Sequence, residues 1–374
     1  MKIINNKLKF YKKNILVIGL GITGKSIIKF LEEKECKLFY WDDAVLEKTF
    51  SKAIRLEKKT SKIDIFDYVF VSPGISRKHF LIKKVFLLKL KILTDIDLFL
   101  NEIKFFNLKN KLICITGTNG KSTVAKMIAM HLNSKPLANF GNLVLDNIPS
   151  KRNEKLILEL SSFQLDYTNA IKPNIAVITN IDKDHLHHHG TYKNYVDSKL
   201  KISGFQTEDD YLILNYNDKK LRKNFFKTNK TKAKIIWVSE KNILKNGIYI
   251  NKNLIIDNYF DKKNVALKNN SFFDLSHNKL NAALSYAVLR SLNYKTNRII
   301  NSLNSFKGLP HRLELIGRIN NIDFFNDSKA TNVAATCSAL DSFKNVILIA
   351  GGSKKGESFN ALKKYAKKIQ AVFL

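Results

Sequence analysis

Apolar residues fall into short continuous runs, separated by stretches where they recur every third or fourth position. The run Leu112-Ile113-Cys114-Ile115 reads as a buried strand, after which helical spacing takes over through Val124, Met127, Ile128 and Leu132. The same succession opens the chain, where Ile15 to Ile18 precedes a helix carrying Ile27, Ile28 and Leu31. Lys37–Trp41, Tyr68–Val71, Leu156–Leu160 and Ile175–Ile178 read as further strands, and Leu284, Ala287, Val288 and Leu292 mark another helix. Strands that alternate with helices predict mostly parallel sheets and an α/β fold. Asn101 to Asn110 is polar and reads as a linker. From about Tyr211 to Asn258, short β runs alternate with lysine and asparagine turns and predict a peripheral region. Near the end come a hairpin (Leu313 to Phe325) and the strands Val346–Ala350 and Ala371–Leu374. These punctuations divide the chain into domains at 1–106, 107–308 and 309–374. The last of these, about 65 residues, is too small to close its own core, so a truncated domain is expected there.

Size and composition narrow the classes. A chain of 374 residues suits two to three domains, and 45% apolar with 11% aromatic residues excludes disorder. The net charge of +32 invites a nucleic-acid partner, but lysine is spread through every segment and no nucleic-acid motif stands out. Specific nucleic-acid binding is therefore not expected. No apolar run approaches the roughly 18 residues of a membrane span. Cys36, Cys114 and Cys337 are scattered without Cys-x-x-Cys spacing, which fits a reduced cytoplasm and no disulfide framework.

The candidate chemistry sits where strands end. Gly117-Thr118-Asn119-Gly120-Lys121-Ser122-Thr123 joins a strand to a helix, as a loop that cradles a phosphate would. It is shorter than the usual pattern, because Ile115 stands where the first glycine is expected. Lys121 would supply a point charge and Ser122 a hydroxyl for a metal ion on the nucleotide, so ATP is the expected ligand. Gly19-Leu-Gly21-Ile-Thr-Gly24, with Asp42 about twenty residues on, gives a second, weaker nucleotide signature. Glu159, Asp184 and His185 lie at strand ends beside the phosphate loop, as a magnesium site needs. His187 to His189 tempts a zinc assignment but reads as mostly solvated loop. Asn278 and Asn281 share a helix face, either as caps or as partners of a purine.

Taken in order, the phosphate loop, Glu159-Leu-Ser-Ser-Phe-Gln164-Leu, Asn180-Ile-Asp-Lys-Asp-His185, His277-Asn-Lys-Leu-Asn281, Gly308-Leu-Pro-His-Arg312 and Asn326-Asp-Ser-Lys-Ala-Thr-Asn332 resemble the Mur ligases, in particular the branch that adds D-glutamate. The resemblance spans essentially the whole chain. It implies a Rossmann-like front domain for the UDP-sugar, a central P-loop ATPase-like domain, and a Rossmann-like third domain for the amino acid. It implies ATP-dependent ligation of D-glutamate to UDP-N-acetylmuramoyl-L-alanine through an acyl phosphate, by a cytoplasmic, monomeric enzyme of peptidoglycan precursor synthesis. Lys121, Glu159, His185 and Lys199 would be catalytic. Ser122, Glu159, His185 and a carbamylated Lys199 would hold up to two Mg²⁺ ions. The nucleotide would also meet Asn278, Asn281, Arg312 and Asp327. Gly21, Ile22, Thr23, Asp42, Ser72, Gly74 and Asn142 would meet the UDP-substrate, and Lys329, Thr331 and Lys355 the D-glutamate. Two departures stand out. The family's Gly-Gly-Asn-Ile-Gly is matched to Phe140-Gly-Asn142-Leu-Val, and His187 stands where an aspartate is usual. The altered glycines, with the expected truncation of the third domain, raise the alternative of a catalytically inactive, nucleotide-binding remnant.

Overall fold

The computed structural model describes residues 10–44, 50–57, 62–107, 109–228, 231–268, 272–352 and 358–374. The front unit opens with β1 (Asn14–Ile18), α1 (Ile22–Leu31), β2 (Lys37–Trp41), β3 (Ala53–Arg55) and β4 (Tyr68–Val71). It continues with α2 (Phe80–Leu87), β5 (Ile92–Leu93) and α3 (Asp95–Phe105). Its five strands are parallel in the order β3-β2-β1-β4-β5. β1 is thus the strand at which the order reverses, and the crevice for a ligand opens beyond its carboxyl end.

Helix α3 overturns part of the expected linker. A capping box between Thr94 and Asp97 starts the helix, and it runs through Asn101 to Phe105. Ile96, Leu98 and Phe99 are fully buried, so packing outweighs the polar residues on its other face.

The middle unit contains β6 (Lys111–Thr116), α4 (Lys121–Leu132), β7 (Pro136–Ala138), β8 (Lys155–Glu159), α5 (Ser162–Tyr167) and β9 (Ile175–Ile178). After α6 (Leu186–His189) and α7 (Tyr192–Leu200) come β10 (Tyr211–Asn215), α8 (Lys219–Thr228) and β11 (Lys234–Ser239). The meander β12 (Ile248–Asn251), β13 (Leu254–Asp257) and β14 (Lys263–Ala266) follows, then α9 (Ser276–Ser291) and α10 (Thr296–Asn304). The nine strands form one sheet, β14-β13-β12-β11-β10-β9-β6-β8-β7, antiparallel only at the β12-β13-β14 edge. β6 is its switch strand. Leu112 and Cys114 face one core and Ile113 and Ile115 the other, the period-two alternation of a strand covered on both sides.

The region from Tyr211 onward is less peripheral than its sequence predicts. β10 pairs with β9 in the body of the sheet. α8 lay hidden among lysines, buried only through Leu221 and Phe225, which are one turn apart. The last segment forms the hairpin β15 (Glu314–Ile319) and β16 (Ile322–Asn326), helix α11 (Val333–Asp341), and a parallel pair, β17 (Val346–Ile349) with β18 (Ile369–Phe373). No helix among the described residues is long and apolar enough to cross a membrane.

Candidate active site

One cleft of about 550 Å³ opens beyond the carboxyl ends of β6, β8 and β9. Its floor is the turn from β6 into α4. Gly117 at φ +150° and Gly120 at φ +83° take backbone angles that disfavour side chains. A Cβ on Gly117 would stand 1.9 Å from Thr179 Oγ1. Asn180 clamps the turn: its Oδ1 accepts from the N–H groups of Thr118 and Asn119 at 3.1 and 2.8 Å, and its Nδ2 donates to Asn119 O at 3.0 Å. The Thr118 hydroxyl and Tyr195 OH are 2.8 Å apart. A turn fixed from behind in this way leaves the start of α4 facing the cleft.

Charge converges on that point. Lys121 folds back on its own loop, donating to Gly117 O at 3.0 Å and Thr118 O at 2.8 Å. Burial pushes its ammonium pKa down. Lys199, on α7, is 2% exposed and donates to the same Gly117 O at 2.7 Å. Burial first, and the neighbouring Lys121 second, depress its pKa well below that of an ordinary lysine. Glu159, at the end of β8, accepts at Oε1 from Asn139 Nδ2 at 2.9 Å. Its Oε2 is buried without a hydrogen-bond partner. His185 takes a left-handed conformation at φ +52° and its Nε2 lies 3.3 Å from the buried Asp184 carboxylate. Arg312 reaches in from beyond α10 to donate to Ser122 Oγ at 3.0 Å. Lys329, Thr331 and Asn332 complete the wall.

The structure brings Gly117, Thr118, Asn119, Gly120, Lys121, Ser122, Glu159, His185, Lys199, Arg312, Lys329 and Thr331 to one cleft. Thr123 lies one residue further into α4 and is buried. Asn278 and Asn281 are buried and cap nothing: Asn278 Nδ2 donates to Phe272 O, and Asn281 packs behind Gly120. Asp327 lies outside the lining; it accepts from Leu313 N at 3.0 Å, and burial raises its pKa. Lys355 falls outside the described residues.

Gly21, Ile22, Thr23, Asp42, Ser72 and Gly74 gather apart from the cleft, around the mouth of the front sheet. Asp42 Oδ2 accepts from Leu20 N at 2.6 Å, and Ser72 Oγ donates to Gly19 O at 2.7 Å.

Asn142 does not line the cleft. Its Nδ2 is turned onto Pro136 O at 2.9 Å, while Asn139 and Phe140 face the cavity. Sequence reasoning missed Asn139, although it stands two residues before Gly141, as the asparagine of the family's Gly-Gly-Asn-Ile-Gly stands before its last glycine. The turn places Ala138 at φ +71°, a conformation in which a glycine would be expected.

The histidine run is not a solvated loop. His188 and His189 are 4% and 3% exposed, with Phe163 against their rings; the side chain of His187 is outside the described residues. Together with Asp166 they could approach a metal ion. However, Arg77 grips both oxygens of Asp166, and His189 Nε2 is 3.0 Å from Ser162 Oγ. Burial lowers the His189 pKa to about 4, so it stays neutral.

The donors of the cleft fit both a metal ion and a nucleotide. The unpartnered Glu159 Oε2 is a hard oxygen of the kind magnesium takes. The glycine turn with Lys121 at a helix start suits a polyphosphate.

Comparison with known proteins agrees with this chemistry. Residues 13–94 match the Mur ligase MurD-like N-terminal domain and residues 115–289 the Mur ligase middle domain. The chain is 36% identical over 373 residues to UDP-N-acetylmuramoylalanine–D-glutamate ligase of Rickettsia bellii, covering 97% of this chain and 81% of that protein. It is 35% identical over 375 residues to the ligase of the same name from Rickettsia prowazekii, covering 97% and 82%. In fold it is similar to the MurF ligase of Thermotoga maritima in complex with ADP, with a TM-score of 0.57 at 15% identity over 98% of this chain and 87% of that one. The chain belongs to the Mur ligase family, on its branch of UDP-N-acetylmuramoylalanine–D-glutamate ligases.

Proposed function

We propose that this chain ligates D-glutamate to UDP-N-acetylmuramoyl-L-alanine at the expense of ATP, in peptidoglycan precursor synthesis. The observation that carries this reading is the meeting, in one cleft, of a phosphate loop, an unpartnered buried carboxylate oxygen and a buried lysine of depressed pKa. The alanine carboxylate attacks the γ-phosphorus of ATP, giving an acyl phosphate and ADP. The D-glutamate amine then attacks the acyl carbon, and phosphate leaves from the tetrahedral intermediate. Both steps gather negative charge on oxygen, so fixed cations supply most of the stabilisation. Lys121 leaves its loop carbonyls for the β- and γ-phosphates, and Arg312 swings from Ser122 to the γ-phosphate. Lys329, Thr331 and Lys355 take the D-glutamate carboxylates.

Magnesium, when bound, would draw the substrate carboxylate and γ-phosphate oxygens together and offset their like charge. Ser122, Glu159 and His185 would hold it. Lys199 joins them only as a carbamate: its neutral amine adds carbon dioxide and releases a proton, so a nitrogen base becomes an anionic oxygen ligand. Asn278, Asn281 and Asp327 serve the nucleotide, Asn281 from behind Gly120. The front unit (1–106) takes the UDP moiety at Gly21, Ile22, Thr23, Asp42, Ser72 and Gly74. The middle unit (107–308) takes ATP and the third (309–374) the amino acid. We place the enzyme in the cytoplasm as a monomer.

The inactive-remnant alternative is disfavoured, since the chain is similar to ligases across four-fifths of their length. The test is phosphate release from magnesium–ATP with UDP-N-acetylmuramoyl-L-alanine, with and without D-glutamate. Release that needs both substrates is expected. Release that ignores them would leave a simple ATPase, and no release would overturn the ligase reading.

A further inference from the structure

The front and middle units share a continuous apolar core, and polar ties fasten its rim. Tyr167 OH donates to Ile75 O at 3.0 Å, Asn169 Nδ2 to Ile92 O at 2.7 Å, and the hydroxyls of Thr94 and Thr168 are 3.2 Å apart. One contact at the rim is a full ion pair. Arg77 donates through Nε to Asp166 Oδ2 at 2.7 Å and through Nη2 to Oδ1 at 2.9 Å. Asp166 is 5% exposed, and the guanidinium lies over the rings of Phe86 and Tyr167 at 5.3 and 5.8 Å. A two-pronged pair of this kind fixes distance and plane together, which a single hydrogen bond does not.

Its two ends sit in telling places. Arg77 lies three residues beyond Gly74, on the loop at the mouth of the front sheet. Asp166 belongs to α5, whose cap Ser161 stands two residues past Glu159 at the end of β8. The capping box of Ser161 and Gln164 makes that short helix a stiff lever, and Lys201 Nζ holds its far end through Asp166 O at 2.6 Å. The neighbouring Ser76 Oγ reaches His188 O at 3.5 Å, on the one-turn helix that begins after His185. One front loop thus touches two of the segments that carry cleft side chains.

We propose that Arg77 and Asp166 are a positioning pair. They set the angle between front and middle units so that a substrate anchored by its UDP end delivers its carboxylate to the γ-phosphate. This rests on the ligase reading above. A ligand that touches one unit alone does not feel the pair, whereas a substrate that spans both does. A displacement of about 1 Å at the reacting atoms costs on the order of 10²-fold in rate.

The test is a double-mutant cycle in the full chain: Arg77→Gln, Asp166→Asn and the two combined. Each single change is expected to lower kcat/KM for the UDP-substrate about 10- to 100-fold. The KM for ATP and the calorimetric affinity for UDP alone should stay within about twofold of the parent. The combined variant should be no worse than the worse single one, as for groups that act only through each other. Single variants with near-parental kcat/KM, or losses that multiply in the combination, would overturn the pair. So would weakened UDP binding, which would make Arg77 a direct ligand contact. Should the parent itself release no phosphate, the ligase reading fails first, and small-angle scattering then judges the pair. A wider spread of unit orientations in Arg77→Gln is expected, and an unchanged scattering curve rejects the orienting role.

Discussion

Two glycine turns in this molecule start from the same backbone solution and end in different chemistry. Each follows the switch strand of its sheet, β1 in front and β6 in the middle, and each opens a helix toward the crevice there. In the front turn, Gly19 at φ +90° and Gly24 let strand and helix close on each other, and the polar ties are made by Asp42 and Ser72. The middle turn is instead surrounded by Lys121, Lys199, Arg312 and Glu159. Backbone N–H groups suffice to hold a diphosphate. Transferring a phosphoryl group needs cations and a metal-binding carboxylate fixed where charge develops. On the proposed ligase reading, the same turn therefore binds in one place and reacts in the other.

Removing a cation from the middle turn should break that contrast most severely. Lys121→Ala is expected to lose at least about 10²–10³ in turnover, the scale for one preorganised charge-stabilising group. Steady-state phosphate release would measure it, and near-normal turnover would remove the loop from the chemistry. Lys199→Ala should fall comparably, but its defect should be chemically repairable. Short carboxylates in the assay should restore part of the rate by replacing the carbamate oxygens. Full activity without them would deny Lys199 any metal role.

The front turn should respond through folding and binding. A Cβ on Gly24 would stand 1.9 Å from Gly19 O, a backbone atom that cannot step aside. Gly24→Ala should cost about 3 kcal/mol, the upper end of ordinary overpacking, in denaturant unfolding followed on the front unit. Gly21 has nothing within 4 Å of its would-be Cβ and an ordinary φ of −62°. Gly21→Ala should therefore leave stability unchanged while raising the KM for the UDP-substrate, because the added methyl projects into open space at the turn. Equal stability losses in the two variants would mean that the turn serves packing alone.

Both turns were legible in the sequence, since glycine spacing between an apolar run and a helical period is a local signal. What escaped depends on tertiary packing. Asn101 to Phe105 is polar enough to pass for a linker, yet it continues a helix whose other face holds Leu98 and Phe99. His188 and His189 look soluble in sequence but are buried against Phe163 and Ser162, because their short helix folds under the seam between units. α8 shows two buried apolar positions in ten, too few to register as a period. The third segment's hairpin and helix start were readable, through the turn at Asn320-Asn321 and the cap at Asn332.

The smallest expected effect separates two asparagines three residues apart. In Gly141-Asn142-Leu143 the sequence suggests Asn142 as a substrate contact, but its amide is spent on Pro136 O, away from the cleft. Asn139 instead holds Glu159 Oε1 and so leaves Oε2 as the oxygen available to the cleft. Removing a partner that orients a metal-binding carboxylate typically costs 10- to 100-fold in metal affinity or activity. Asn139→Ala should show about a tenfold loss in kcat, with a higher magnesium requirement. Asn142→Ala should stay within about twofold in every kinetic constant, since it gives up one hydrogen bond to the backbone of the same loop. A rise in the KM for the UDP-substrate in Asn142→Ala would mean that the loop turns over when substrate binds. Equal losses in both variants would mean that the loop acts as one body, with neither amide singled out.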